Sequence, residues 1–564
     1  MSKPLYVLGT GLSHNGSAVL LKDGVVCVGI EKERITRKKH DGGNDTDAIQ
    51  YCLEAEGITL ADVALVVQTA NFEIPNRDRF HGKRVFAEME YPPLVTISHH
   101  LAHAYSAAGT SDFDACVVMV IDGCGSPYEQ CMDSSEGVIL PENLAQLARN
   151  QLWCEKDSFY HFDGQKLTPL LKDFSPIEKQ TDIGLKLPTT KHSIGGFYAA
   201  ISHYVFGNMD DVGKLMGLAP YGKEGLIQQE AFEFKDGSLL VRDDWKNELT
   251  NPSTGYPFFK ENFQYYADVA FWAQKQVEKA VCWCFEDRLR RFPHANVCYG
   301  GGVALNAVAN AFLLNDGILE NFYIEPAAGD NGLALGCAYY GWLEVLKKPK
   351  VKHNENTCFG KSYSRREIMD SLKDSPQNWK VEELNSEELV EGVAQFLAAG
   401  KTIGWFQDHA EFGPRALGHR SILAHPGIEG LGDHINANIK FREDFRPFAP
   451  AVLPEFASSY FRSGRKSPYM ILVDRTKEEH LEKLRNVTHV NGTARVQTVD
   501  KTWNNLFFEL IQAFERQTGL ALLLNTSFNK KGMPIVETPE QAIALFEESA
   551  LDILVLNQVM IEKK

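Results

Sequence analysis

The residues best placed to do chemistry begin at Ser98-His99-His100-Leu101-Ala102-His103. Ser98 can cap a helix, and His99 and His103 then stand one turn apart on one face. That spacing lets two ring nitrogens share one metal ion. A zinc-peptidase motif needs Glu where His100 stands, so a metallopeptidase ranks last. Two histidines packing at a helix start is the plainer reading, and two carboxylates weigh against it. Asp122 ends the apolar run that starts at Cys116, and Asp330 follows Glu325-Pro326-Ala327-Ala328-Gly329. Both sit just past strand C-termini, where α/β sheets hold ligands, although Asp beside Gly is also an ordinary turn residue. Two imidazoles with two carboxylates suit Fe(II), Mn(II) or Zn(II) better than Mg(II).

Gly300-Gly301-Gly302-Val303-Ala304-Leu305-Asn306 is a glycine-rich strand-to-helix turn. Bare backbone lets a nucleotide approach, and a helix N-terminus favours phosphate. The turn matches neither G-x-G-x-x-G nor the Walker A pattern, and tight packing explains many such turns. Lys214-Leu215-Met216-Gly217-Leu218-Ala219-Pro220-Tyr221-Gly222 alone reads as a loop. His14 lies in a polar turn, where a histidine is commonly idle. It could also be a general base, because its ordinary pKa is near neutrality. Arg37-Lys38-Lys39-His40 reads as solvated surface, though one lysine there could meet a phosphate. Further on, cations gather. Arg415 ends Glu411-Phe412-Gly413-Pro414-Arg415. Lys440, Arg442 and Arg446 precede Pro447-Phe448-Ala449-Pro450, and Arg495 lies in Ala494-Arg495-Val496-Gln497. Asn525-Thr526-Ser527-Phe528-Asn529 follows an apolar strand. Cations this dense among Phe, Gly and Pro read as an anion pocket, with ordinary salt bridging as the alternative.

The elements that must hold these residues are of α/β type. Residues 5–8, 17–21 and 25–30 read as strands joined by tight turns, and Asp23-Gly24 makes the second turn. A similar strand at 116–121 ends in Asp122-Gly123-Cys124-Gly125. Recurring strand–glycine-turn units between helices point to a duplicated α/β core. Three- and four-residue apolar spacing predicts a helix over 268–289, and others over 305–314 and 332–346. Near Leu346 the texture turns basic, Pro-containing and polar, so 1–346 reads as one domain, 347–385 as a linker region and 386–564 as a second domain. Ser386 is expected to cap the first helix of that second domain and Gly400 to close it.

Composition narrows the function. The 564 residues allow about three or four folding units, and the 44 % apolar share fills several cores. A net charge of −16 gives no global attraction to nucleic acid. No apolar run is long enough to span a membrane, and no signal-peptide core follows Met1. Eleven scattered cysteines without a C-x-x-C pair fit a reduced, cytoplasmic chain.

Taken together and in order, these blocks resemble the O-carbamoyltransferases of the nodulation-protein and antibiotic-tailoring group, which includes the tobramycin, cephem and novobiocin enzymes. The blocks are His99 to His103, the Asp122 turn, Lys214 to Gly222, the Gly300 turn, Glu411 to Arg415, Phe445 to Pro450 and Asn525 to Asn529. The resemblance implies an N-terminal actin-like ATPase domain of the threonylcarbamoyl-transferase kind and a C-terminal YrdC-like α/β domain. The latter would make carbamoyl-adenylate from carbamoyl phosphate and ATP with Mg. The former would transfer the carbamoyl group to a hydroxyl of a small sugar or natural-product acceptor.

The resemblance also implies roles. His99, His103, Asp122 and Asp330 would ligate a divalent metal, Fe(II) first, with Mn or Zn as alternatives. His14 would take the acceptor proton. Lys39 would contact phosphate in the first part, and Gly301, Gly302 and Asn306 would line a nucleotide. Arg415, Lys440, Arg446, Arg495, Asn525 and Ser527 would hold carbamoyl phosphate and the adenylate. Family members often carry an Arg just before the Glu-Phe-Gly-Pro-Arg block, where this chain has Asp408-His409-Ala410. The competing expectations are a tRNA threonylcarbamoyl-adenosine enzyme, disfavoured by charge, and a non-catalytic actin-like nucleotide-binding protein. The stretch from Asp157 to His192 matches no motif and is expected to shape acceptor choice.

Overall fold

The structure is a computed structural model. It describes residues 3–43, 45–69, 92–134, 153–176, 187, 193–235, 237–315, 317–376 and 378–563. The chain forms two compact units. One is Met1–Lys32 with Gly42–His353, and the other is Glu33–Asp41 with Asn354–Lys564.

The first unit holds two five-stranded sheets. In the first, β1 (Tyr6–Gly11), β2 (Ser17–Lys22), β3 (Val25–Glu31), β4 (Val63–Thr69) and β5 (Leu94–Ile97) lie in the order β3-β2-β1-β4-β5. The β1–β2 and β2–β3 pairs are antiparallel, and β1–β4 and β4–β5 are parallel. Helix α1 (His99–Thr110) follows β5. The second sheet repeats this plan. β6 (Cys116–Ile121), β7 (Trp153–Phe162), β8 (Leu167–Pro176), β9 (Asn296–Gly300) and β10 (Asn321–Ile324) lie in the order β8-β7-β6-β9-β10. Its first two pairings are again antiparallel and its last two parallel. The core is therefore duplicated, as the recurring turns led us to expect.

The long helix α2 (Phe263–Arg291) extends the helix read at 268–289 at both ends. Helix α3 (Leu333–Tyr340) follows β10 through the short turn Asp330–Gly332 and continues as the π turn Gly341–Val345. All twelve residues of α1 are buried. Small residues let α1 and α3 pack closely: a Cβ on Gly336 would lie 1.7 Å from the Ala102 carbonyl oxygen.

The second unit is built on an eight-stranded mixed sheet. In chain order its elements are β11 (Trp379–Glu383), α4 (Ser386–Ala398), β12 (Ile403–Phe406), β13 (Arg420–Ala424), β14 (Ala449–Val452), β15 (Gln497–Thr498), α5 (Asn505–Thr518), β16 (Leu522–Ser527), α6 (Pro539–Glu548), β17 (Ile553–Leu556) and β18 (Val559–Lys563). The strand order is β11-β18-β17-β12-β13-β16-β14-β15. Leu389, Val393 and Leu397 of α4 pack with Phe507, Ile511 and Phe514 of α5 in its core.

Three boundaries differ from expectation. Residues 354–385, within the stretch read as a linker, fold into the second unit as the helix Arg365–Ser371 and strand β11. Asn385 rather than Ser386 caps α4, its Oδ1 accepting from the amides of Glu387 and Glu388. Short polar caps one residue apart look alike in sequence. The basic segment Glu33–Asp41 belongs to the second unit although it lies inside the N-terminal domain of the chain. There Arg34 donates to the Gly413 carbonyl at 2.6 Å, and Arg37 to those of Ile535 and Pro534 at 2.7 and 2.8 Å.

Candidate metal centre and anion pocket

The duplication explains how the first unit assembles its site. His99 opens α1 after β5, and Asp330 opens the turn into α3 after β10, the matching place in the second repeat. His14 and Asp122 follow β1 and β6, which also match. All four of these loops therefore lie at strand C-termini of their sheets.

His99, His103, Asp122 and Asp330 converge, all buried, with one ligand atom of each within 4.8 Å of the others. His99 Nε2 lies 3.2 Å from Asp122 Oδ2 and 3.4 Å from Asp330 Oδ1. His103 Nε2 lies 3.9 and 3.7 Å from the same two oxygens. The two Nε2 atoms face each other at 3.2 Å. Two imidazole nitrogens and two carboxylate oxygens turned toward one point are a donor set that fits a divalent transition metal. Burial opposes charging of His99, yet Asp330 and Asp122 carry it up to about 10. Burial would raise the two carboxyls, but the facing histidines hold both well below the usual range. A cation at that point would take over the role of the proton.

The surroundings orient these groups. Asp122 Oδ1 accepts from the Gly302 amide at 2.8 Å. Gly301 has φ +89°, and a Cβ there would strike the Ile121 carbonyl oxygen at 2.3 Å, so this turn requires glycine. The Asn306 amide is already engaged: it exchanges hydrogen bonds with Gln274 at 3.0 and 3.1 Å and accepts from the Ala309 amide. His14 Nδ1 lies 3.1 Å from Asp330 Oδ2, and that carboxylate, against the cost of burial, raises it to about 9. His14 is the one member of this set with an exposed side chain, at 58 %.

Ser98 occupies the cap position of α1, but its hydroxyl does not cap. It donates to Asp133 Oδ1 at 2.9 Å. The helix amides are met from elsewhere: His99 N–H donates to Ser126 Oγ at 2.9 Å, and His100 N–H to Glu155 Oε2 at 3.2 Å. Of the stretch expected to shape acceptor choice, β7 and β8 carry the first part. Residues 177–186 and 188–192 lie outside the described residues.

In the second unit, Glu411 winds the loop that carries Arg415. Its Oε1 accepts from the amides of Leu417 at 2.6 Å, His419 at 2.8 Å and Arg420 at 3.3 Å. Lys440 ends a π turn, Asn436–Lys440. It donates to Ser527 Oγ at 3.1 Å, to Asn529 Oδ1 at 2.6 Å and to the Ser527 carbonyl. Asn525 Nδ2 donates to Gln497 Oε1 at 2.9 Å. Arg442 lies over the Phe448 ring, 4.5 Å from its centroid.

These cations feel one another. Burial and then Arg446 lower Arg415 to about 10. Burial, then Arg415, Arg442 and Arg446, push Arg495 well below its usual value. Burial, then Arg442, Arg446 and Lys39, do the same to Lys440. Among the described residues, Arg446 has Glu443 Oε2 at 3.7 Å, while the side chains of Arg415 and Arg495 have neither an ion pair nor a hydrogen bond. Guanidinium groups do not deprotonate in proteins, so the downward push reflects the cost of burial, and then of mutual repulsion, which a bound anion would offset. Lys39 was expected in the first part. It stands with the second unit, close enough to act on Lys440.

Residues given no role from the sequence include Glu411, Gln497 and Asn529, which lie inside or beside the quoted blocks. Ser126 and Glu155 left a weaker signal, the charged run Glu155-Lys156-Asp157 within a strand-like stretch. Arg34 and Arg37 left none beyond a basic run.

The chain thus joins a duplicated α/β unit that gathers two histidines and two aspartates to an α/β unit that gathers a cluster of cations. The carbamoyltransferase N-terminus family model matches residues 7–85 and 76–339, and the carbamoyltransferase C-terminus model matches 394–563. The chain belongs to the carbamoyltransferase family and is a transferase. Nodulation protein NolNO of Sinorhizobium fredii is 30 % identical over 591 residues, covering 98 % of this chain and 79 % of that protein. An uncharacterized Synechocystis protein is 32 % identical over 636 residues, covering 99 % and 97 %. Among solved structures, full-length HypF in its phosphate- and nucleotide-bound form overlaps with 12 % identity and a TM-score of 0.33. That overlap covers 59 % of this chain and 55 % of HypF. No helix among the described residues is long and apolar enough to cross a membrane.

Proposed function

We propose that this protein is an ATP-dependent O-carbamoyltransferase working in a reduced, cytoplasmic setting on a small hydroxylated acceptor, a sugar or natural-product scaffold. The second unit, read as YrdC-like, binds carbamoyl phosphate and Mg-ATP. The observation that carries this reading is the convergence of Arg415, Lys440, Arg442, Arg446 and Arg495, of which, among the described residues, Arg415, Lys440 and Arg495 have no counter-charge. Water releases phosphate from carbamoyl phosphate to leave carbamate. A carbamate oxygen then bonds to the α-phosphorus of ATP as the bond to pyrophosphate breaks. The arginines hold the phosphoryl oxygens, and Asn525 and Ser527 orient the small carbamoyl group.

Transfer takes place in the first unit, read as of the actin-like ATPase class. His14 accepts the proton of the acceptor hydroxyl, whose oxygen bonds to the carbamoyl carbon as AMP leaves. Bare Asp330 holds His14 protonated; with that carboxylate neutralised by a metal, the ring, exposed on one side and hydrogen-bonded to Asp330 on the other, would be free to accept this proton. His99, His103, Asp122 and Asp330 would hold the metal, which supplies positive charge for the adenylate phosphate and the developing oxyanion. Gly301 and Gly302 are the nucleotide contacts of the same reading, and Asn306 acts through the turn it braces, while Lys39 joins the phosphate-binding cations of the second unit.

The test is incubation with ATP and either carbamoyl phosphate or bicarbonate. AMP and pyrophosphate should form with the first donor only. Equal formation with both donors, or with neither, would overturn the reading.

A further inference from the structure

The helix that carries His99 and His103 is capped by side chains from the β7–β8 hairpin and the β6–β7 connection, not by its own cap residue. Glu155 and Lys172 are both fully buried on that hairpin. Glu155 Oε2 accepts from the His100 amide at 3.2 Å and from the Ser126 amide at 2.8 Å. Ser126 Oγ in turn accepts from the His99 amide. Glu155 Oε1 lies 2.5 Å from Lys172 Nζ. The same ammonium reaches Asp133 Oδ2 at 2.6 Å and the Tyr160 hydroxyl at 2.9 Å. Asp133 holds the Ser98 hydroxyl. Residues 98, 99 and 100 are thus all tied to one buried ion-pair cluster.

The cluster itself is not a metal site. Cys131, Asp133 and Glu155 have ligand atoms close enough to share an ion, but the Lys172 ammonium already bridges the two carboxylates.

We infer that Glu155 and Lys172 are positioning residues for the metal pair, fixing the rotation of α1 and so the direction of both imidazoles. A carboxylate at the first free amides of a helix holds its N-terminus against fraying. Here the first two helical residues include a ligand, so a small rotation moves His99 directly and His103 with it. Lys172 keeps that carboxylate ionised in a buried place. The inference rests on the reading of His99, His103, Asp122 and Asp330 as metal ligands.

The experiment uses full-length protein stripped with chelator and measures Mn(II) binding by equilibrium dialysis, with thermal unfolding in parallel. Lys172→Met removes a positive charge, so bulk electrostatics alone would tighten cation binding. Positioning predicts the opposite, a dissociation constant at least about 10-fold weaker, in the range for lost outer-shell partners. Glu155→Gln should weaken binding in the same way, and Lys172→Arg should restore part of it. If Lys172→Met does not fold, the charge-neutral pair Glu155→Gln with Lys172→Met decides. A lower unfolding temperature with an unchanged dissociation constant marks a merely structural role and overturns the inference, as does tighter binding by Lys172→Met. Wild-type protein that binds no Mn(II) overturns the metal reading, and the inference with it.

Discussion

His99 and Asp330 face each other across 3.4 Å from the same place in two copies of one strand plan. Each opens the helical segment that follows the last strand of its sheet, and the two helices cross closely through Gly336. The cluster of His99, His103, Asp122 and Asp330 is therefore a product of the duplication. Each repeat supplies half of a donor set that neither could complete.

Replacing His14 or Asp330 should separate two roles. His14→Asn should lower carbamoyl transfer by about 10²- to 10⁴-fold, the usual loss for a general base, and leave AMP formation and Mn(II) affinity near wild type. Asp330→Asn should also spare AMP formation but weaken Mn(II) by at least ~10-fold. Coupled product mass and metal-binding measurements check both.

Removing one unbalanced cation should help the empty protein and harm the working one. Arg495→Met relieves repulsion from Arg415, Arg442 and Arg446. Ligand-free protein should gain about 1 kcal/mol, read as a rise of roughly 2–4 °C in unfolding temperature. The same variant should lose the stabilisation that added carbamoyl phosphate gives the wild type, and its AMP formation should collapse.

Glu325 gives stability a pH signature. Burial, and then the charge of Glu31, raise its carboxyl from 4.5 to about 8. The folded state therefore holds a proton that the unfolded chain has already lost between those values, and stability falls as pH rises through that window. The slope from this one group is at most about 1.4 kcal/mol per pH unit. Glu325→Gln should remove that contribution, so the difference in unfolding free energy between variant and wild type should widen from pH 5 to pH 8. A constant difference would show that Glu325 ionises normally.

Two glycines on helices should respond in opposite directions. Gly336→Ala drives a Cβ into the Ala102 carbonyl. The expected cost is about 1–3 kcal/mol from overpacking, with weaker Mn(II) binding because α1 must move. Gly392 in α4 has open space around it, so Gly392→Ala should add about 0.5–1 kcal/mol. Denaturant melts of the two variants make the comparison.

Much of the plan could be read from the chain because its signals are local. Strands at 5–8, 17–21, 25–30 and 116–121 show as apolar runs closed by Gly turns, and the His99–His103 spacing places two imidazoles on one helix face. Asp122 and Asp330 were joined to that pair first by their places just past strand C-termini and then by the order of motifs shared with a family, since no local pattern brings residues 99 and 330 together. The buried charges of the β7–β8 hairpin were not legible. Glu155, Lys156, Asp157, Lys172 and Asp173 look like a solvated surface, yet their partners come from one another and from distant residues such as Arg288. Lys39 misled for the same reason: its place in the chain is N-terminal, but its neighbours are not.

The excursion Glu33–Asp41 has a bearing on how such an enzyme can be inherited. Since Arg34 and Arg37 are hydrogen-bonded into the C-terminal unit, no single break in the gene yields two complete halves. A fragment starting at Asn354 would lack the strap that closes over Gly413 and Pro534. The two units are thus stitched into one reading frame, and splitting them between two genes would take a rearrangement rather than a simple fission.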